Sequence, residues 1–265
     1  MENQPLREPA SPDLQDVADL VADIASLLMS SGAHTARVVR NASRVAEAFG
    51  FEAQISLFQL SIILTVSGKN DPHHRVTLIR KIKPLLLDFT IVSKISILSW
   101  RTLDSKLSLK QVRQALARIK ATPRRSRWWV LLMAGVANAS FCRLFGGDEV
   151  AMLLVLLGTW MGLFVRQELH HKGASHYVVF LAAAFVSSFV AGMGFRYGWG
   201  HTPQVALATS VLFLVPGVPF LNAFTDIIEG HVLTGTSRAV NAAALMVCVS
   251  LGLLLTMLSL GLEKL

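Results

Sequence analysis

Apolar residues fall at two periods in the first half of the chain and run almost unbroken in the second. Leu14, Val17, Leu20, Val21, Ile24, Leu27 and Leu28 recur at helical spacing, predicting a helix from Asp13 that Gly32 interrupts. A second helix is expected over 35–49, stopped by Gly50. Ala53, Ile55 and Leu57 then alternate with Glu52, Gln54 and Ser56, the period of two that marks a strand. Residues 60–66 read as a second strand, 68–72 as a turn and 75–82 as a third strand. Helical patterning returns over 85–103 and 109–119, ending before Pro123.

Five apolar segments follow, at 128–145, 149–165, 177–195, 203–221 and 239–262, each near the length a bilayer requires. The expected fold class is therefore an integral membrane protein, mainly α, with five transmembrane helices preceded by a small α+β cytoplasmic domain. In these terms residues 1–12 are a Pro-rich disordered tail, 13–123 the α+β domain and 124–265 the five-span transmembrane domain.

Composition sharpens the division. Of 265 residues 52% are apolar, and the mean hydropathy is +0.51. Residues 1–127 carry 19 Lys and Arg against 11 Asp and Glu, whereas residues 128–265 carry six of each. The basic surplus does not interleave with aromatics as a nucleic-acid platform would, so no nucleic-acid partner is expected. Arg124, Arg125 and Arg127 instead abut Trp128 and Trp129, the arrangement of a cytoplasmic membrane boundary. No signal peptide is visible in residues 1–20. Cys142 and Cys248 lie in apolar segments as buried free thiols, indicating neither a disulfide framework nor a metal site.

The segment linkers set an orientation. Arg124, Arg125, Arg127, Arg166, Lys172 and Arg238 lie on the side of the N-terminal domain, and Arg143, Arg196 and Lys264 on the other. The bias places the N-terminal domain in the cytoplasm and the C-terminus outside, in the periplasm of a bacterial inner membrane. An odd span count with one helix-break motif, where paired-repeat transporters carry two, suggests half of a machine.

The chemistry concentrates in residues 214–238, LVPGVPFLNAFTDIIEGHVLTGTSR. Pro216 and Pro219 flank Gly217 and break a helix that has entered the membrane, about 20 Å into a core of about 30 Å if entry is at Pro203. Backbone groups freed there need protein, water or ligand as partners. Asn222, Asp226 and Glu229 follow at spacings of four and three on one helical face. Two readings stand. In one, the positive end of the half-helix after Pro219 faces an anionic solute, Asn222 supplies directional hydrogen bonds, and Asp226 takes a proton, coupling ion or ammonium. In the other, the segment is an amphipathic loop helix with solvated acids. Gly230-His231 and Thr234-Gly235 read as turn chemistry, with a ligand role for His231 equally open. Arg238 either anchors the last span at the interface or pairs with Asp226 or Glu229.

Other polar sets carry less. Asn138 and Arg143, with Asp148-Glu149, are secondary candidates or a helix-end surface cluster. Gly158 and Gly162 form a GxxxG match that permits close helix packing. His170, His171 and His176 with Glu168, like His73-His74, match no metal motif and read as solvated loop residues. No Walker A sequence is present, and no cofactor or metal is expected.

These residues resemble a known family. The stretch SVLFLVPGVPFLNAFTDIIEGHVLTGTSRA resembles the signature of the threonine/serine exporters, and LLMSSGAHTARV, the Phe49-Gly50 stop and RWWVLLMAGVANASFCRLFGGD support it. The likeness extends over nearly the whole chain beyond residue 13 and fits the larger half of a split form of the family. It implies an inner-membrane exporter, not an enzyme, completed by a small membrane subunit resembling YjjB, with a higher oligomer left open. Threonine and serine are the solutes associated with full-length relatives, and succinate-like dicarboxylates with the split pair. The signature positions implied are Pro216, Gly217, Asn222, Asp226, Gly230, His231, Gly235 and Arg238; Glu229 falls where some relatives look basic. Two alternatives remain: a membrane-anchored signalling protein without transport activity, and an intramembrane hydrolase using Asp226 with Glu229 or His231, which lacks a second catalytic aspartate or zinc motif.

Overall fold

The computed structural model describes residues 13–58, 60–69, 71, 73–82, 87–123 and 125–262. The expected tail at 1–12, turn positions 70 and 72, and positions 85 and 86 lie outside the described residues. The chain divides into two compact units, Met1–Pro123 with Val218–Ala239, and Arg124–Gly217 with Val240–Leu265.

In the first unit, α1 (Leu14–Ser30) and α2 (Thr35–Ala48) cover one face of an antiparallel sheet of order β1-β2-β3 (Phe51–Leu57, Ser61–Gly68, Arg75–Lys81). The period of two explains the sheet. Register places Ala53 opposite Val66 and Ile55 opposite Leu64, with Val66 and Leu64 facing Val76 and Leu78 in turn. These apolar pairs join α1's Val17, Val21, Ile24 and Leu28 in one core. The other face mixes the exposed apolar pair Ile63 and Ile79 with polar residues, the Thr65 and Thr77 hydroxyls lying 2.9 Å apart.

Two capped helices complete that core: α3 (Phe89–Asp104) and α4 (Leu109–Lys120). α3 starts later than the expected 85 because the Asp88 side chain accepts from the Thr90 and Ile91 amides, and Leu87 and Asp88 precede the helix. Ser108 and Gln111 close a reciprocal capping box at the start of α4.

The second unit contains α5 (Arg127–Leu144), α6 (Glu149–His171), α7 (His176–Tyr197) and α8 (Pro203–Thr209). A 3₁₀ turn over Leu212–Leu214 follows, then α9 (Gly217–Ile228) and α10 (Val232–Leu260). From Val218 on, α9 lies in the first unit, and α10 leaves it after Ala239. By length and apolarity α6, α7 and α10 can each cross a membrane. The pair Pro203–Leu214 and Gly217–Ile228, bent by 60°, makes a fourth if taken as one span. α5, the first of the five expected segments, is diluted by Arg127, Asn138 and Arg143 and does not reach the same apolarity. Leu144, Leu153, Met161, Leu251 and Leu255 are exposed along the helices of this unit. A continuous apolar exterior of this kind belongs in lipid.

The structure corrects two expected boundaries. The fourth segment was expected to stay helical until the break at Pro216 and Pro219, but α8 ends at Thr209, before the prolines are reached. The last was expected from Ala239 with Thr234-Gly235 in a turn, but α10 begins at Val232 and includes both. Gly235 makes this possible: a side chain there would lie 2.8 Å from the Ala223 carbonyl oxygen and 2.6 Å from Ile227 Cγ1. The connection shrinks to Glu229, Gly230 and His231, with Gly230 at a φ of 87°.

Glycines also set the spacing of the membrane helices. A Cβ at Gly158 would lie 2.6 Å from the Ser187 carbonyl oxygen, and one at Gly162 2.8 Å from that of Ala183. The GxxxG face of α6 is therefore spent against α7 of the same chain.

Candidate functional site

The turn between α1 and α2 sets the problem that the signature segment solves. Gly32 takes a φ of 91° and lets the chain reverse. His34 is the N-cap of α2 but gives no side-chain cap, so the first amides of α2 lack a local acceptor.

The acceptor arrives from far along the chain. Asp226, fully buried on α9, accepts from the Thr35 backbone N–H through Oδ1 at 2.7 Å and from the Thr35 hydroxyl through Oδ2 at 3.0 Å. Arg238 places Nη1 3.2 Å from the same Oδ2. All three contacts are donors, the surroundings of a carboxylate rather than of an acid O–H. Asp226 also sits at the positive end of α2.

Its neighbours grip the same turn. Asn222, one helical turn earlier, donates from Nδ2 to the Gly32 carbonyl at 2.8 Å, and Arg238 Nη2 donates to the Ala33 carbonyl at 3.2 Å. Thr234 donates its hydroxyl to the Leu57 carbonyl at the end of β1, at 2.7 Å. Asn222, Asp226 and Arg238 thus hold the backbone of residues 32–35 from three directions.

The remaining predicted residues divide around this clamp. Glu229 is exposed and not buried beside Asp226; its Oε2 lies 3.9 Å from His34 Nε2. Burial holds the His34 pKa below its ordinary value, against the opposing pulls of Glu229 and Asp226. His231 donates its backbone N–H to the Asp226 carbonyl at 2.7 Å, closing α9. A cavity of about 330 Å³ adjoins it, lined by Thr35, Ser56, Phe58, His231 and Thr234 among others. Pro216 is buried and Gly217 exposed where α9 begins. The half-helix therefore starts at Gly217, with Pro219 inside its first turn rather than before it.

Asn138 and Arg143 separate. Asn138 is buried and donates from Nδ2 to Thr159 Oγ1 at 2.7 Å and to the Thr209 carbonyl at 3.2 Å. Arg143 is exposed and donates to the Gly147 carbonyl at 3.2 Å. Asp148 caps α6 through Ala151 N at 2.7 Å. Arg127 and Glu168 pair at 3.1 Å. Among the described residues no three His, Cys, Asp or Glu side chains are grouped to hold a metal.

Sequence reasoning missed Thr35, His34 and Thr234 as partners in the clamp. The stretch LLMSSGAHTARV had been singled out, but nothing local tied its threonine to an aspartate 191 residues away.

Comparison with known proteins agrees with these features. The family model described as "Putative threonine/serine exporter" matches residues 19–260. The "Probable succinate transporter subunit YjjP" of Klebsiella aerogenes is 28% identical over 93% of this chain and 95% of its own length. The protein of the same name from Escherichia coli K12 is 27% identical over 89% and 91%. The "Probable threonine/serine exporter" of Mycobacterium tuberculosis is 23% identical over 91% of this chain but only 46% of its own length. No solved structure matches. The match includes both the 32–35 turn and the segment that clamps it, and the chain belongs to the ThrE family of membrane exporters.

Proposed function

We propose that this chain is one subunit of an inner-membrane secondary exporter for small carboxylates, either succinate-like dicarboxylates or threonine and serine. It works with a small YjjB-like membrane subunit. The reading rests on one observation above all: the family's signature segment is folded as a single clamp on the N-terminal unit and leads directly into α10, one of the membrane-length helices. A hydrolase would need activated catalytic groups, whereas both oxygens of Asp226 are engaged by donors. The subunit names and near full-length coverage of the two enterobacterial relatives support a partnered half. The far greater length of the mycobacterial relative supports it too.

In this account the five segments span the membrane with the N-terminal unit in the cytoplasm and the C-terminus in the periplasm. The path-lining groups are drawn from Pro216, Gly217, Pro219, Asn222, Asp226, Glu229, His231 and Arg238. Asp226 carries the charge that changes during transport. A change at this carboxylate is felt at the start of α2, because the same group holds both Thr35 and Arg238. Cells lacking the chain should accumulate threonine, serine or succinate internally. Unchanged efflux of all three in a clean deletion contradicts the proposal.

A further inference from the structure

Where α6 ends and α7 begins, two basic side chains close on one aromatic ring. Arg166 on α6 holds its guanidinium carbon 4.7 Å from the centre of the Phe180 ring. His176, the first residue of α7, brings its imidazole to 4.8 Å from the same ring. Phe180 is buried in the packing of the second unit, so both groups are seated against a fixed wall. α6 and α7 are each long and apolar enough to cross a membrane.

Arg166 carries more hydrogen-bonding capacity than its surroundings use. It is partly buried, and among the described residues its guanidinium meets the Phe180 ring and no acceptor. The acid two positions on, Glu168, is committed to Arg127 at 3.1 Å. The charged groups that act on His176 are Arg166 and His170, both basic. Guanidinium and imidazole N–H donors therefore converge where the second unit brings no carboxylate. A ring contact offsets only part of the cost of taking a guanidinium out of water. A cation so placed in a membrane protein calls for an anionic partner.

The surroundings say which anion. Arg166 lies five residues from the end of α6, about 7.5 Å at the helical rise and far from mid-bilayer. Trp128, Trp129, Phe164 and Tyr177 are exposed around this end, and the Trp128 and Phe164 rings stack at 6.4 Å. Exposed Trp and Tyr at helix ends mark the level of lipid headgroups. We propose that Arg166 and His176 hold the phosphate of an anionic phospholipid, whose acyl chains lie against the apolar exterior that Phe164 and Val178 present. A phosphodiester offers two charged oxygens to the guanidinium fork, and the exposed imidazole supplies a further donor. A zwitterionic headgroup brings its own ammonium to the phosphate and competes with Arg166 for it. This inference goes beyond the exporter reading and needs only that α6 and α7 cross the bilayer.

The test is native mass spectrometry of the full-length chain in detergent, titrated with phosphatidylglycerol or phosphatidylcholine. Wild type, Arg166→Gln, Arg166→Lys, His176→Gln and Lys172→Gln are compared at matched helical content. The wild type should retain one phosphatidylglycerol about tenfold more tightly than phosphatidylcholine. Arg166→Gln should weaken that binding about tenfold and His176→Gln about threefold, with Arg166→Lys between wild type and Arg166→Gln. Lys172, exposed in the same loop, controls for diffuse attraction, and Lys172→Gln should stay within about twofold of wild type. Equal losses in Arg166→Gln and Lys172→Gln, or none in Arg166→Gln and His176→Gln, overturn the site. His176→Gln, an exposed and conservative change, carries the test if Arg166→Gln misfolds. Glycerol 1-phosphate and succinate, each in excess, separate the sources of anion, and neither should displace the lipid. Displacement by either one, lost in Arg166→Gln, would make this a site for a soluble anion and overturn the lipid assignment. Binding is read without transport, so absence of efflux from the chain and its partner would remove the exporter reading and leave this result standing.

Discussion

Asp226 and Thr35 are 191 residues apart in sequence, yet the carboxylate of one caps the helix that begins at the other, at 2.7 Å to the backbone N–H and 3.0 Å to the hydroxyl. α2 has no side-chain cap of its own. The consequence is a helix start whose integrity depends on a residue of the signature segment, and through Arg238 on the first turns of α10.

Removing the Asp226 side chain should therefore damage the first unit as a whole. Asp226→Ala leaves Arg238 and the α2 amide without their acceptor in a buried setting, a loss of about 3–5 kcal/mol. Asp226→Asn keeps the shape and should cost less while abolishing coupled export. Thermal unfolding and efflux, measured with membrane abundance in parallel, separate the two effects. Normal transport by Asp226→Asn would return the path to Asn138 and its neighbours.

Asn222→Ala removes one neutral hydrogen bond, to the Gly32 carbonyl, and should destabilise by about 1 kcal/mol. Insertion should be unaffected. A loss as large as that of Asp226→Ala would mean that Asn222, rather than the charge pair, holds the turn.

Gly235→Ala is a steric probe. The added methyl meets the Ala223 carbonyl at 2.8 Å and the Ile227 backbone N at 3.0 Å, so α9 and α10 must separate. A loss of about 1–3 kcal/mol is expected, with efflux falling alongside it. Gly217→Ala, where nothing lies within 4 Å, is the control and should be nearly silent in stability.

His34 supplies a pH test. Burial lowers its pKa, so the folded chain favours the neutral ring. The stability this contributes is present above the ordinary value of about 6.5 and is lost as pH falls through the lower folded value. Thermal midpoints of the wild type should fall from pH 7.5 to pH 5 more steeply than those of His34→Gln. Equal slopes would show that Glu229 compensates the buried charge fully.

Local periodicity carried much of this fold. The alternation at 52–57 and the helical spacing of Leu14 to Leu28 lead directly to β1 and α1, because each pattern reports a single buried face. The break near Pro216 was visible for the same reason: proline acts locally. What the sequence could not show depends on distant partners. α8 ends at Thr209 where Asn138 and Ser187 receive its last carbonyls, and neither residue is near it in sequence. α10 starts early because Gly235 fits against Ala223 and Ile227, although a Thr-Gly pair reads locally as a turn. Asp226 was identified as a functional candidate from its place after the break, but its bond to Thr35 was not legible from spacing.

The most direct measurement is solute release from proteoliposomes containing this chain, the YjjB-like subunit, or both, loaded with labelled threonine or succinate under a proton gradient. The account predicts release only when both subunits are present, and loss of that release with Asp226→Asn. Release by this chain alone, or none of either solute from the pair, would contradict it.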